Sequence, residues 1–421
     1  MNDNINKNNF AKHARPTPSL SSQAMVYCQT FLRQREINSR KEKLHLESIV
    51  DYKQLTLKSS SPRLALFESE ELELRVETHH EFVCYIWVLT NSSNELSPPA
   101  LVNDVPEDWQ DEFPGRMLTQ CLISFEKSEK ANVSSEKLKH LFGKNQIIGN
   151  FVERESASIW TDFYPTPEHN MLRVHVEDYT MGPKRRGRLA QHILELENYR
   201  CLSEIAFPIA EKIVFELEAK EAYLAELIEK IALDKKTIKL QELLHQLLDL
   251  SVSSEHWRCR TGHRFSATTA YKNIFLDRLN ALEDAPALGY QSFASFLLRT
   301  TMPTFRTCEA ANDRLNVFIS RIDRAISLLS TRIRSTVEQQ NNALLTSVDN
   351  QNRQQIKLQQ TIEAFAIIAI SYNGSSLINL LLESLQKQGM PIDTAFWTTA
   401  SIPLVILSSY GFMLYLRKRK R

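Results

Sequence analysis

The chain has 421 residues, of which 43% are hydrophobic, enough to form one or two sizeable soluble domains. Its 51 basic and 50 acidic residues leave a net charge of +1, so the overall charge gives no case for a nucleic-acid partner. Only 10 glycines are present and no Gly-rich phosphate-binding motif occurs, which favours a helix-rich protein.

The first 20 residues are expected to form a flexible arm. Residues 1–9 are polar and contain no apolar segment of the kind that a secretory signal needs, so we expect the soluble part to stay inside the cell. Six scattered cysteines without a CxxC pair indicate reduced thiols rather than a disulfide framework. No cofactor is predicted.

Residues 21–182 are predicted to form an α+β domain with a mainly antiparallel sheet. Its first part, residues 22–52, shows helical periodicity. The β-rich runs that predict strands are 64–67, 72–76, 82–88, 118–125, 147–152, 158–164 and 171–176. A short helix is predicted at 134–142.

Residues 183–309 are predicted to form a helical domain, which begins after the turn signal of Gly182. Pro208 is expected to kink or break the first long helical stretch, because proline removes a backbone donor and clashes with the preceding turn. Pro303 is expected to precede the last long helix of the chain.

Residues 310–360 are predicted to form one stalk helix. Its first half has apolar residues at alternating spacings of four and three, typical of a coiled-coil seam. The predicted seam residues are Leu315, Ile319, Ile322, Ile326, Leu329 and Ile333. Beyond Val337, asparagine and glutamine dominate. These amides predict a neutral solvated surface or, alternatively, groups that line an oligomeric channel or fix the helix register.

Two apolar stretches, 361–382 and 395–416, are each long enough to cross a bilayer as a helix. A short external loop, 383–394, joins them, and the chain ends on the basic tail 417–421. Because Lys and Arg near membrane ends stay on the cytoplasmic side, this pattern predicts a multi-pass membrane protein with both termini in the cytoplasm.

The first apolar stretch has a polar or small-residue face. The residues on this face are Ser371, Tyr372, Gly374, Ser375, Ser376 and Asn379. Close packing between membrane helices uses such residues, so a packing face is the favoured interpretation. A polar permeation path is the alternative, since polar groups within a membrane often mark one.

Arg75, Glu77, His79 and Glu81 alternate along a predicted strand, which would place all four on one face of the sheet. Such a face could bind an anion or a metal, or do acid–base chemistry. An exposed sheet face with cross-strand ion pairs is the favoured interpretation. The identity of any metal stays open.

Four further residues complete the candidate ligand-binding set. His13 and Arg15 could belong to an anion site or to a docking arm, and Arg116 and Asp162 could equally form a structural ion pair.

One helical stretch has metal-ligand spacing. His256, Cys259 and His263 follow i, i+3, i+7 spacing and could hold zinc, but a fourth ligand is not evident. No catalytic residue is assigned.

Several short motifs along the chain together carry a resemblance to a known family. They are 13–16, 77–82, 113–116, 161–163, 187–189, 194–200, 264–267 with Tyr271, 306–308, 340–341, 358–363 and 369–372. In these motifs the chain resembles a bacterial family of predicted membrane-anchored proteins, domain of unknown function 3422, which implies a protein of the bacterial inner membrane. The family has no established activity, so the resemblance implies a topology and not a mechanism.

A second similarity concerns architecture alone. An N-terminal α/β part, a helical middle, a stalk, two spans and a basic tail are similar to the CorA-type divalent-cation channels. The Gly-Met-Asn triplet of those channels does not occur here, so magnesium transport is only a fold-level analogy.

These patterns favour a membrane-anchored, non-enzymatic protein with a cytoplasmic binding or sensor domain. We expect membrane lipid and further copies of the chain as partners, no nucleic acid, and a small-molecule or ion ligand of unknown identity. The alternatives are a stalk-type ion channel or transporter that uses Ser371, Ser375 and Asn379, and a membrane-tethered enzyme that uses the cluster at 75–81.

Overall fold

The computed structural model describes residues 17–34, 39–90, 104–106, 108–129, 135–164, 171–233, 237–282, 285–287, 289–387 and 393–419. The chain divides into two compact units. Unit 1 comprises Met1–Leu233 and His245–Ile326, and unit 2 comprises Asp234–Leu244 and Ser327–Arg421. The predicted N-terminal α+β sheet domain, the long helices and two apolar helices near the C-terminus are confirmed.

Unit 1 is built on a sheet of ten strands among the described residues. They are β1 (Met25–Arg33), β2 (Thr56–Ser61), β3 (Leu64–Glu68), β4 (Leu72–Thr78), β5 (Phe82–Leu89), β6 (Gly115–Lys127), β7 (Ile148–Val152), β8 (Ala157–Thr161), β9 (Met171–Asp178) and β10 (Ala285–Pro286). The order across the sheet is β10-β7-β8-β9-β6-β1-β5-β4-β3-β2. Neighbouring strands are antiparallel except β6 and β9, which are parallel.

Seven helices accompany these strands in the described part of the chain. They are α1 (Ser39–Tyr52), α2 (Ser135–Phe142), α3 (Pro183–Glu204), α4 (Phe207–Leu233), α5 (Thr237–Ala281), α6 (Phe293–Lys387) and α7 (Thr394–Arg419).

Helices cover both faces of the sheet. On one face, residues of α3, α5 and the first part of α6, such as Ile193 and Phe275, form one apolar core with the strands. On the other face, Ile49 of α1 and Trp109 belong to a second apolar cluster together with Trp87 of β5. The central strands therefore carry apolar residues on both sides, as buried strands do.

β1 corrects the prediction that residues 22–52 are helical, because among the described residues of this range only 39–52 form a helix and Met25–Arg33 form a strand. β1 pairs with β5 on one side and with β6 on the other, so it is a central strand. Its first seven residues are all buried. A short apolar run that is buried on both faces cannot be told from a buried helix by periodicity.

The two prolines behave differently. α3 ends at Glu204 and α4 begins at Phe207, so Pro208 coincides with a helix break as expected. The prediction for Pro303 is wrong, because this residue lies inside α6. Leu297 and Phe305 on either side of it are buried in the same apolar core, so tertiary packing favours the helix there despite the missing backbone donor.

The stripe predicted as a coiled-coil seam is largely part of the chain's own core. Leu315, Ile319 and Ile322 are at most 3% exposed within unit 1, and Leu329 is buried in unit 2. A helix that packs in any bundle has the same alternation of three and four. This first half of the predicted seam therefore offers little surface to a second copy.

The two apolar stretches lie in unit 2. The most apolar 18 residues of α6 and of α7 are almost wholly unburied, with 6% and 0% of them buried. By length and composition both helices could cross a membrane. This weakly suggests membrane association.

Candidate functional site

The predicted ligand residues near the β4–β5 turn do not share one strand. β4 ends at Thr78, so Arg75 and Glu77 lie on the strand, whereas His79 and Glu81 lie in the turn that precedes β5. Arg75 and Glu77 are 4% and 6% exposed. The interpretation of this group as an exposed sheet face is therefore wrong.

Side chains of this group contact one another and a neighbouring carboxylate. Arg75 Nη1 lies 3.2 Å from Glu73 Oε1, and His79 Nε2 lies 3.7 Å from Glu77 Oε2. The imidazole of His79 also stacks on the ring of Phe82, with 3.9 Å between the ring centroids. These contacts hold the side chains in place, so we assign Arg75, Glu77 and His79 a structural role.

A small cavity lies between this group and α3. Its volume is about 20 Å³, room for about one water molecule and not for an organic ligand. Its walls also include Asn198 and Tyr199 of α3, and Pro18, which precedes β1. Gly187 of α3 allows Pro18 to approach closely, because a Cβ atom on Gly187 would lie 1.8 Å from the Pro18 carbonyl oxygen.

Glu81 connects the β4–β5 turn to α5. Its carboxylate accepts a hydrogen bond from the Tyr271 hydroxyl and pairs with Arg264 Nη1 at 2.8 Å. Burial and the neighbouring carboxylate raise the pKa of Tyr271, so its phenol stays protonated and donates. Two of the motifs that carry the family resemblance, 77–82 and 264–267 with Tyr271, therefore meet in the fold.

The other predicted ligand residues do not join this group. His13 and Arg15 lie outside the described residues. Arg116 is exposed on β6, and Asp162 pairs with Arg173 Nη2 at 3.0 Å. The structural ion pair of Asp162 thus has a partner other than the one the sequence suggested.

A buried ion pair lies on α3, at residues to which the sequence analysis gave no role. Glu197 is 5% exposed and accepts hydrogen bonds from Arg200 Nε and Nη2, each at 2.8 Å. Thr119 and Cys201 donate to the same carboxylate at 3.3 Å. Burial alone would raise the pKa of Glu197, but the Arg200 charge and these bonds bring it below its ordinary value. The charged carboxylate fixes the guanidinium in one orientation.

Arg200 lines a cleft of about 390 Å³ within unit 1. Its Nη1 atom lies 2.5 Å from Glu204, whose side chain is 56% exposed. Opposite the ion pair, the rings of Phe163 and Phe296 stack with centroids 4.7 Å apart. The full lining is Leu118, Thr119, Phe163, Leu172, Glu197, Arg200, Cys201, Glu204, Phe296 and Thr300. This size and this mixture of apolar walls with an oriented ion pair are typical of a small-molecule site.

The sequence did contain a signal for this cleft. Glu197 and Arg200 are three residues apart on one helix face, among the apolar positions Ile193 and Leu196. A carboxylate at a core position requires a buried partner, because an unpaired buried charge is too costly.

A second buried polar network lies on the opposite face of the sheet. His175 of β9 is fully buried, with Nδ1 2.8 Å from Ser124 Oγ and Nε2 3.7 Å from Glu126 Oε2. Burial, and then the charge of Lys137, lower the pKa of His175 to about 3. The order of serine, histidine and carboxylate resembles a nucleophilic triad, but substrate cannot reach a serine that is 3% exposed. We therefore assign this network to the structure of the sheet.

Metal binding finds no support among the described residues, where no group of three His, Cys, Asp or Glu side chains could hold an ion. The predicted zinc residues His256, Cys259 and His263 lie on α5 and form no such group.

Part of the predicted polar face of the first apolar stretch contacts α7 within one chain. A Cβ atom on Gly374 would lie 2.9 Å from Val405 Cγ1, so the glycine allows the two helices to approach closely. Asn379 Oδ1 accepts a hydrogen bond from Thr398 Oγ1 at 3.0 Å. These contacts are those of a helix-packing face.

The rest of that face borders a groove. Ser371, Tyr372 and Ser375 line a largely apolar space of about 290 Å³ beside α7. Ser371 is buried and Tyr372 is exposed, and Ser376 lies exposed outside the groove.

Comparison with known proteins places the chain in a family without assigning an activity. A family profile described as "Protein of unknown function (DUF3422)" matches residues 11–420. This match confirms the family expected from the short motifs. No curated protein matches the sequence.

Proposed function

The chain belongs to this family of proteins of unknown function, and on that premise we propose that it is a membrane-anchored, non-enzymatic binding protein. Unit 1 would bind a small molecule that carries a carboxylate or phosphate group. The observation that carries the proposal is the cleft at Arg200, whose guanidinium is oriented by the buried Glu197.

The contacts of Arg200 suggest how such a ligand would bind. Two of its nitrogen atoms are committed to Glu197, which is buried and cannot leave. Among the described residues Nη1 pairs with Glu204 alone, and an ion pair with a half-exposed partner contributes little stability in water. An anionic group could therefore replace Glu204 on Nη1, while the apolar part of the ligand packs on Phe163 and Phe296.

Ligand binding should raise the melting temperature of the full chain in detergent. We suggest a panel of amino acids, dicarboxylic acids, sugar phosphates and nucleotides. A ligand at 100 times its Kd adds about 2.7 kcal/mol of stability, or several degrees in Tm. Thr300→Trp, which fills the cleft from an exposed position, should abolish that rise. Thr346→Trp, on an exposed part of α6, is the matched control. A panel without effect, or a rise that survives in Thr300→Trp, contradicts the proposal.

Anchoring by α6 and α7 in the bacterial inner membrane is the second part of the proposal. Their apolar windows are almost wholly unburied, so these surfaces need lipid or further protein to cover them. Trp397 and Tyr415 are exposed near the two ends of the second span, about 27 Å apart along a straight helix. Aromatic residues favour the two interfaces of a bilayer, and this separation matches its core.

The proposed orientation, with both termini in the cytoplasm, can be tested with native cysteines. Cys259 is exposed and the other five are buried. A membrane-impermeant maleimide should label Cys259 only after spheroplasts are lysed, whereas it should label Gln386→Cys in a Cys259→Ser background before lysis. Labelling of Cys259 in intact spheroplasts would refute the orientation, and release of the protein by alkaline carbonate would refute the anchoring.

The remaining alternatives have less support. Gly374 and Asn379, from the polar face of the first stretch, contact the chain's own α7, which favours packing over a channel or a CorA-like architecture. For a membrane-tethered enzyme, Arg75 and Glu77 would have to reach substrate, but both are buried. Membrane lipid and further copies of the chain remain the proposed partners.

A further inference from the structure

We infer that copies of this chain associate in parallel through an exposed stripe of α6, which we name the α6 seam. Its apolar members are Leu344, Val348, Leu358, Ile362 and Phe365, and each is between 50% and 69% exposed. Together with the three amides Asn341, Gln351 and Gln355 they follow the alternation of three and four that a coiled-coil core requires. The inference goes beyond the ligand site and rests on the proposed anchoring only for the orientation of the copies.

The earlier part of the same helix provides an internal comparison. Leu315, Ile319 and Ile322 have the same spacing and are buried within unit 1. From Leu344 to Leu358 the same pattern continues without cover in the described part of the chain. Apolar side chains in a continuous stripe are driven from water, so a second surface is needed there.

Lipid does not cover the first half of the α6 seam. Asp349, Arg353 and Lys357 project from this part of α6, and Asp349 pairs with Arg353 at 2.9 Å within the helix. Charges at this density keep a helix in water, because each is costly in hydrocarbon. The partner of Leu344 and Val348 is therefore a protein surface.

The amides identify that surface as the same helix in another copy. Asn341, Gln351 and Gln355 occupy core positions of the seam, where a polar group is costly unless it is paired. Each amide has both a donor and an acceptor, so the identical residue of a second copy can pair with it. This pairing requires parallel helices in register, and amides at core positions are known to specify register in this way.

Anchoring strengthens this choice of partner. Two copies in one membrane point their stalks in the same direction, and confinement raises the effective concentration of one stalk near another. Leu345 and Ile356 lie to one side of the seam and are also exposed, which widens the apolar face beyond a narrow two-stranded stripe. The seam thus accommodates two or more copies.

Cysteine crosslinking of the full chain in native membranes tests the inference. In a Cys259→Ser background, we would place single cysteines in the seam (Leu344→Cys, Val348→Cys) and at exposed positions off the seam (Thr346→Cys, Arg353→Cys). With copper phenanthroline, disulfide-linked dimers should form at least about fivefold more at the seam, because a disulfide needs Cβ atoms about 4 Å apart. Parallel, in-register helices bring identical residues together at both seam positions, whereas antiparallel helices do so only next to their two-fold axis.

Two results would overturn the inference: no dimer from either seam position, or equal yields at all four positions. The same membranes are then washed with alkaline carbonate. If seam crosslinks form but the protein is washed off the membranes, the inference of the α6 seam stands and the proposed anchoring is rejected. If the protein stays in the membranes but no seam crosslinks form, the anchoring stands and the α6 seam is rejected.

Discussion

Replacing Arg200 by methionine is expected to lower the free energy of unfolding by about 3 kcal/mol, because Glu197 would remain buried without its cation. Arg200 is itself about a quarter exposed, so water can reach part of the site and the loss should stay at the lower end for a broken buried pair. At an unfolding entropy of about 2.1 cal/mol/K per residue, this corresponds to a melting temperature about 3–5 °C lower for a chain of this length, measured by tryptophan fluorescence in detergent.

Two variants make this result specific. Adding Glu197→Gln to Arg200→Met should restore a large part of the loss, because the carboxylate that lacks a partner is then neutral. Arg258→Met, which removes a largely exposed pair with Glu255, should change stability by no more than about 0.5 kcal/mol. A melting temperature for Arg200→Met within the range of Arg258→Met would show that Glu197 is not held by Arg200.

Much of the sheet could be predicted because most of its strands are bounded by turns and are rich in β-branched or aromatic residues. β5 shows this clearly: the run 82–88 predicted a strand apolar throughout, and all eight residues of Phe82–Leu89 are buried. β1 failed because its neighbours β5 and β6, which are distant in sequence, decide that it is a strand. Local periodicity contains no information about such partners.

The candidate cleft was harder to predict, since it depends on which side chains the fold brings together. Glu77 and Glu81 looked equivalent in the alternation from 75 to 81, but the strand ends between them and Glu81 turns towards α5. Glu197 and Arg200 lie in one of the motifs of the family resemblance, but the sequence analysis gave them no role. The carboxylate of Glu197 is buried because α3 packs on the sheet, where Thr119 of β6 donates a hydrogen bond to it. In α6, the sequence showed the spacing of the apolar residues correctly. Which of these residues belong to the core depends on what covers the helix, and the spacing does not show that.

Lowering the pH from 7 to 5 is expected to remove about 2 kcal/mol of stability through His175 alone. Burial keeps the folded His175 neutral, with a pKa lowered to about 3, whereas an unfolded histidine titrates near 6.5. The unfolded state therefore takes up a proton first as the pH falls below about 6.5. The stability that His175 contributes is present above that pH and is lost progressively towards pH 3.

His175→Asn isolates this effect, because the amide can replace Nδ1 next to Ser124 but does not titrate. Between pH 7 and 5, the wild-type melting temperature should fall about 2–3 °C further than that of His175→Asn. His140→Asn removes an exposed histidine and should follow the wild type.

Burial raises the pKa of Glu177, which opposes the effect of His175 on stability. Glu177 is present in all three proteins, so its contribution largely cancels when their melting temperatures are compared. Equal falls in wild type and His175→Asn would mean that His175 is already solvated or charged in the fold, and the buried network on β6 and β9 would then need a different explanation.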